Sequence, residues 1–233
     1  MTDKPHVLLL HGALGAGEQL EPLSRSLEEL FTVHTLDFEG HGGSPAADRP
    51  FRTEHFAENL VAYLDGQGIE QAHVFGYSMG GYAALHAANV QPERLGRVFT
   101  LSTKLDWSPE FAAGEVRMLD PDRIADKVPA FARLLERRHS AFGWRNVLHS
   151  TEEMMLAMGE RPEIDAAMLR AIDIPVRIAV GDRDHMVSIE ECIEAYRALP
   201  GGELQVFPST PHPIEKVDTE MLASALIQFF GAG

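Results

Sequence analysis

The sequence predicts an α/β protein: a mainly parallel, doubly wound sheet of about six strands with a helical cap inserted before its last two strands. Three observations carry that expectation. Short apolar runs rich in Val, Leu, Ile and Phe recur along the chain, and such runs mark strands buried on both faces. Helical patterns lie between them, and strand–helix alternation implies parallel strands joined by right-handed crossovers. The alternation fails once, between Ser102 and Ile174, where about seventy residues hold helical segments and no convincing strand, an interval too long for a structureless loop.

In chain order, the apolar runs place strands over His6–Leu10, Thr32–Leu36, Ala72–Gly76, Arg97–Ser102, Val176–Gly181 and Glu203–Phe207. Helical periodicity covers Glu18–Leu30, Thr53–Asp65, Met79–Val90, Ile189–Leu199 and Asp218–Phe230. In the last of these, Met221, Leu222, Leu226, Phe229 and Phe230 form a single stripe. Inside the long interval, "PAFARLLERRHSAF" and "STEEMMLAMG" read as helices of a cap over residues 104–172. The chain shows no internal repeat, low-complexity tract or Pro/Gly/Ser linker. A single domain, 1–233, is therefore expected, with its core in 1–103 and 173–233.

Bulk composition narrows the function. With 233 residues, 45% of them hydrophobic, the chain can bury one substantial core. A net charge of −15 opposes binding to nucleic acid or anionic membranes, which need excess Lys and Arg. The local cluster of Arg133, Arg137 and Arg138 around Glu136 reads as a solvated helix face or, as the alternative, a site that attracts an anionic substrate. No run approaches the roughly 18 apolar residues of a membrane span, and His11 and Gly12 interrupt the first apolar run where a signal peptide would continue. A soluble, cytoplasmic protein is expected. Cys192, the lone cysteine, excludes an internal disulfide and fits a reducing compartment. No H-E-x-x-H or paired cysteine cluster suggests a metal, and "HGALGAGE" has neither the dinucleotide spacing nor a P-loop Lys-Ser/Thr. No cofactor is expected.

In open parallel sheets, sites gather at the carboxyl ends of strands. There the sequence sets "HGALGAG", "DFEGHGGS", "GYSMGG", "GDRDHMV" and "PSTPHPIEKV". Gly76-Tyr77-Ser78-Met79-Gly80 is a G-x-S-x-G between strand and helix, the context of a nucleophile elbow. The need for glycine is steric: strand and helix must approach closely around a strained serine. The helix N-terminus behind Ser78 also favours developing negative charge.

From His6 onward the chain resembles the α/β-hydrolase family, through this elbow, His11-Gly12, the D-x-x-G-H-G-x-S match at Asp37–Ser44 and the order Ser, acid, His. Relative to the family, the core lacks the first two strands. The resemblance implies a triad of Ser78, Asp184 and His212. It places the base after the last strand, at His212, flanked here by Pro211 and Pro213 where the family has Gly before the histidine. It selects Asp184 at the end of G-x-x-D, leaving Asp182 as a turn residue and Asp106 as a less favoured acid. Such a triad needs donors for the oxyanion: the backbone N–H of Met79, and one from the "HGALG" loop, Ala13 before Leu14. His11 and His41 would brace these loops.

A serine nucleophile argues against the dehalogenases and epoxide hydrolases of this fold, which use aspartate. The expected reaction is hydrolysis of a small-molecule ester or thioester with a small to medium apolar acyl group, through an acyl-enzyme on Ser78. Leu14, Tyr77, Trp107 and Trp144 are the expected substrate contacts, and Met154, Met155, Met158 and Phe142 are candidates for an adaptable wall. One alternative is a C–C bond hydrolase or a lyase similar to that of the menaquinone pathway; Tyr82 stands where that lyase carries an arginine, which Arg133 or Arg145 would have to replace. Another is a non-catalytic ligand-binding member. Oligomeric state leaves no mark on the sequence.

Overall fold

A computed structural model describes residues 4–231. Six strands, β1 (His6–Leu10), β2 (Thr32–Leu36), β3 (Ala72–Tyr77), β4 (Leu95–Leu101), β5 (Val176–Gly181) and β6 (Gly202–Phe207), form one sheet in the order β2-β1-β3-β4-β5-β6. Every pairing is parallel. Helices α1 (Glu21–Leu27), α2 (Thr53–Gln67), α3 (Met79–Val90), α9 (Ile189–Ala198) and α10 (Thr219–Phe230) connect or flank the strands. Between β4 and β5 lie α4 (Pro109–Val116), α5 (Pro121–Lys127), α6 (Pro129–Arg138), α7 (Trp144–Glu160) and α8 (Ala166–Ala171).

Period-two side-chain alternation sorts the strands into two cores. On one face Leu8, Leu10, Val74, Val98 and Ile178 pack with residues of α2, α3 and α9. On the other Val7, Leu9, Phe75, Phe99 and Phe207 pack with α1 and α10. The central strands are buried on both faces, as the sequence implies. The edge strands β2 and β6 are not: each carries exposed positions, because an edge receives cover from fewer neighbours.

Several boundaries differ from the expected ones, two of them for plain local reasons. The segment 17–30 is a 3-10 turn followed by α1 from Glu21; Pro22 lacks an N–H and is tolerated only in a helix's first turn. Likewise β4 starts two residues earlier, at Leu95, and ends before Ser102, whose φ of 54° leaves the extended region.

The insert has its own small core of Leu119, Ile124, Ala132, Leu135, Leu148 and Met155. Prolines at the starts of α4, α5 and α6, and side-chain caps from Ser108 and Asp120, set its short helices. Its last helix, α8, joins the main core instead, with Leu169 and Ile172 clustered with Ala195 and Leu199. Strand order reverses between β1 and β3, so a crevice opens there at the strands' carboxyl ends.

Candidate active site

The loop after β3 carries Ser78 with φ 51° and ψ −116°, a conformation costing a serine about 1–3 kcal/mol that persists only when its surroundings fix it. They do. The Ser78 N–H donates to Leu101 O at 2.8 Å, Thr103 Oγ1 donates to Ser78 O at 3.1 Å, and Gly81 N–H closes the turn onto the same oxygen at 3.0 Å. The glycines earn their places sterically: a Cβ on Gly76 would lie 2.4 Å from the Gly81 backbone, and one on Gly80 would lie 2.6 Å from the carbonyl oxygens of Leu10 and His11.

His212 and Asp184 meet at the same rim. His212 Nδ1 donates to Asp184 Oδ2 at 2.9 Å, which leaves the imidazole's Nε2 as its remaining ring nitrogen. The other carboxylate oxygen accepts from the N–H groups of Met186 and Val187 at 2.9 and 3.0 Å. Burial opposes the charge on Asp184, but the His212 hydrogen bond and those two donors prevail and hold its pKa below the ordinary carboxylate value. Asp182 serves the neighbouring loop, accepting from Thr210 N–H at 3.3 Å. Asp106, at the start of the insert, donates its N–H to Glu191. Among the described residues His212 makes no hydrogen bond to the Ser78 hydroxyl; its carbonyl accepts from Tyr77 Oη at 3.0 Å. Catalytic contacts are often loose without substrate.

Facing Ser78 is the turn Gly12–Gly15, closed by Gly15 N–H to Gly12 O at 3.0 Å. Ala13 occupies its crest, and Leu14 takes φ 57°. A Cβ on Gly12 would touch the Tyr77 ring at 2.8 Å and Ser78 Cβ at 3.1 Å, so this turn sits directly against the elbow. The N–H groups of Met79 and Ala13 donate to no carbonyl among the described residues. His11 braces the turn: Nδ1 donates to Gly12 O at 2.8 Å while Nε2 accepts from Phe38 N–H at 3.2 Å. His41 hydrogen-bonds Glu39 O through Nδ1; its buried Nε2 finds no partner among the described residues.

His139, at the end of α6, was not anticipated here. Its Nε2 donates to Leu14 O at 3.0 Å, Arg138 donates to the same oxygen at 3.1 Å, and Gly42 N–H donates to His139 Nδ1. The insert thus grips the turn that presents Ala13. Burial lowers the pKa of His11 to about 4 and also depresses His41 and His139, so this cluster stays neutral near neutrality.

Above Ser78 lies a narrow cavity with about 30 Å³ of space open to water. Ala13, Ser78 and Trp107 line it together with five methionines, residues 79, 154, 155, 158 and 186. Leu14, Tyr77 and Trp144 are not among its walls. Tyr77 turns under His212 and Leu14 turns toward the insert, where its carbonyl is held; Trp144 packs beside the insert's core. Phe142 packs at a tilt beside Phe51. Arg145 pairs with Asp122 on the exposed outer side, and Arg133 is also exposed. Tyr82 lines the cavity and accepts from Ile164 N–H at 2.8 Å. Among the described residues no group of histidines, cysteines and acids could hold a metal, and no helix is long and apolar enough to cross a membrane.

A family model described as the alpha/beta hydrolase fold matches residues 5–164. A pimeloyl-[acyl-carrier protein] methyl ester esterase from Chromobacterium violaceum is 28% identical, over 89% of this chain and 87% of its own. Among solved structures, carboxylesterase CesB from Bacillus subtilis superposes with a TM-score of 0.80 at 21% identity, over 100% of this chain and 86% of its own. The 2-hydroxy-6-oxo-6-phenylhexa-2,4-dienoate hydrolase of a Rhodococcus strain does so with 0.80 at 22%, over 97% and 90%.

Proposed function

The chain belongs to the α/β-hydrolase fold family, and within it we propose that it is a serine hydrolase cleaving a carboxylic ester or thioester of a small to medium substrate. The observation that carries this reading is the His212–Asp184 pair, hydrogen-bonded at 2.9 Å, on the rim that also bears the strained Ser78. Relatives that act on a methyl ester or bear the name carboxylesterase support the ester class. The geometry supplies no observation that favours C–C bond cleavage or a purely ligand-binding role.

In the proposed reaction, Ser78 Oγ attacks the acyl carbon as His212 Nε2 removes its proton. Asp184 fixes the imidazole with Nδ1 protonated and stabilises the imidazolium. The N–H groups of Met79 and Ala13 receive the oxyanion, and being held in place beforehand they need no reorganisation. His212 then returns the proton to the departing alcohol or thiol. Water, deprotonated by the same nitrogen, attacks the acyl-enzyme; the proton goes back to Ser78 Oγ as the acid is released. The apolar cavity would accept the acyl chain.

Labelling with a fluorophosphonate and mapping the adduct tests this proposal. Modification of Ser78, absent in Ser78→Ala, is the expected result. A folded wild type that takes no label, or takes it on another residue, overturns it.

A further inference from the structure

The turn that presents Ala13 is joined to the insert through its own backbone. A trans peptide is planar, with its C=O and N–H pointing in opposite directions, so whatever holds one end aims the other. The N–H of Ala13 belongs to the peptide whose oxygen is Gly12 O. That oxygen accepts from Gly15 N–H at 3.0 Å and from His11 Nδ1 at 2.8 Å. Gly15 N–H in turn belongs to the peptide whose oxygen is Leu14 O, which accepts from His139 Nε2 at 3.0 Å and from Arg138 Nη1 at 3.1 Å. Two peptides thus run head to tail from the insert to Ala13, and Ala13 lines the cavity together with Ser78.

The turn needs this outer anchor. Leu14 takes φ 57°, a left-handed conformation that a Cβ disfavours and that persists only where its surroundings fix it. His139 is built to fix it. Its side chain is fully buried, and its contacts demand one tautomer: Nε2 must carry the proton it donates to Leu14 O, and Nδ1 must be bare to accept from Gly42 N–H at 3.1 Å. Gly42 lies in the loop after β2, so a single imidazole spans the end of α6 and two loops of the rim. Arg138 shares its guanidinium with Glu18 at 2.9 Å, so at Leu14 O it acts as a second donor and not as a free charge.

We propose that His139 is a positioning residue for the oxyanion donor: through Leu14 O and then Gly12 O it fixes where the Ala13 N–H points. This rests on the serine-hydrolase reading above and gives the insert a part in the chemical step besides its apolar wall. Hydrogen bonds in a chain polarise one another, so the relay strengthens the donor that it aims. The oxyanion exists in the tetrahedral intermediate and the transition states beside it, not in the bound ester. Loss of the relay therefore lowers kcat and spares ground-state binding.

The test compares His139→Gln with His139→Asn. Glutamine can set an amide N–H where Nε2 stands and keep the bond to Leu14 O; asparagine is too short for that but can set its oxygen where Nδ1 stands and keep the bond from Gly42. A purely structural role through Gly42 favours asparagine, whereas positioning of the turn favours glutamine. On p-nitrophenyl acetate or butyrate, His139→Asn is expected to lower kcat about tenfold with KM within about twofold, short of the roughly 10²- to 10³-fold of a missing oxyanion donor because Arg138 remains. His139→Gln recovers most of that loss. An alkyl trifluoromethyl ketone, whose addition to Ser78 Oγ leaves an oxyanion on the former carbonyl oxygen, should bind His139→Asn about tenfold more weakly, while the methyl ketone of the same chain binds both variants alike. Should His139→Asn not fold, Arg138→Ala, which takes the other donor from Leu14 O, is read on the same two ketones. Equal trifluoromethyl ketone affinity in the wild type and the variant, a loss confined to KM, or a glutamine variant worse than asparagine at matched melting temperatures overturns the proposal. If the wild type cleaves no ester but forms an adduct that His139→Asn weakens, the positioning role stands and the ester reading falls. A wild type that forms no adduct sinks both.

Discussion

The sheet's rim and the insert meet over Ser78, and they are built on opposite terms. The rim is polar and over-determined: Ser78 is held by Leu101, Thr103 and Gly81, and both carboxylate oxygens of Asp184 are occupied. The insert presents Trp107, Met154, Met155 and Met158, flexible or broad apolar surfaces with few directional contacts. Groups that handle protons need fixed geometry, whereas a wall that receives a chain gains from side chains that can adapt. At Leu14, gripped by Arg138 and His139, the insert reaches into the rim's polar order.

The largest effects should therefore fall on the rim. Ser78→Ala is expected to lower kcat by at least about 10⁴-fold on any ester the wild type cleaves, measured by single-turnover kinetics, with thermal stability kept or improved because alanine removes only a hydroxyl. A residual rate within tenfold of wild type would move the nucleophile elsewhere.

The two acids after β5 sharpen the comparison within the rim itself. Asp184→Asn is expected to cost about 10³- to 10⁴-fold in kcat, by favouring the wrong imidazole tautomer. Asp182→Asn, which disturbs the bond to Thr210 and a long contact with Arg183, should cost less than about tenfold by the same comparison. A reversed order would mean that the carboxylate's role lies with Asp182.

The motifs that carry the rim were legible because their chemistry imposes spacing. Gly76 and Gly80 announce a close approach that the coordinates show as backbone within 2.6 Å of a would-be Cβ, and such a requirement leaves a local trace in sequence. The six parallel strands were legible too, since burial on both faces writes continuous apolar runs; the edge strands β2 and β6 blurred that signal because half their positions face outward. What joins insert to rim left no trace. His139 lies 125 residues from Leu14 and Lys104 lies 87 from Glu191, and neither pair belongs to a spaced motif, so only the fold reveals them. Tyr77 and Trp144 lie outside the walls of the cavity over Ser78, and no sequence signal could have told this, because proximity to the elbow or within the insert says nothing about which way a side chain turns.

Acid tests the buried histidines that link the two parts. The unfolded chain takes up a proton on each histidine near the ordinary value of 6.5, while His11 in the folded protein resists until about 4. Between those values the unfolded state holds more protons, so stability falls as pH falls, and His11 alone accounts for roughly 3 kcal/mol across that window. His41 and His139 shift in the same direction. Urea midpoints measured from pH 7 down to about 4.5 should decline steadily, and less so in His11→Gln. A flat profile in the wild type would deny that these rings are buried and neutral.

Arg138→Ala breaks half of the grip on Leu14 and the ion pair with Glu18. His139 still holds the same carbonyl, so the expected loss in kcat is about three- to tenfold, with a stability cost near 1–2 kcal/mol for the buried charge-assisted bond. The effect should appear in kcat more than in KM, because on the proposed mechanism the turn's main part is to hold an oxyanion donor in place. A KM effect without a kcat effect would instead make the grip a matter of cavity shape.

The smallest change is predicted for the wall. Met155 is buried both in the insert's own core and along the cavity. Met155→Leu conserves volume and costs less than about 1.5 kcal/mol, but it replaces an unbranched thioether with a branched, stiffer chain. Turnover of a short ester should be unchanged within about twofold, while KM for longer acyl chains rises by a few-fold as the wall loses its freedom to rearrange. If KM shifts equally for short and long chains, the methionines act as rigid filler and the contrast between a fixed rim and an adaptable wall fails at this residue.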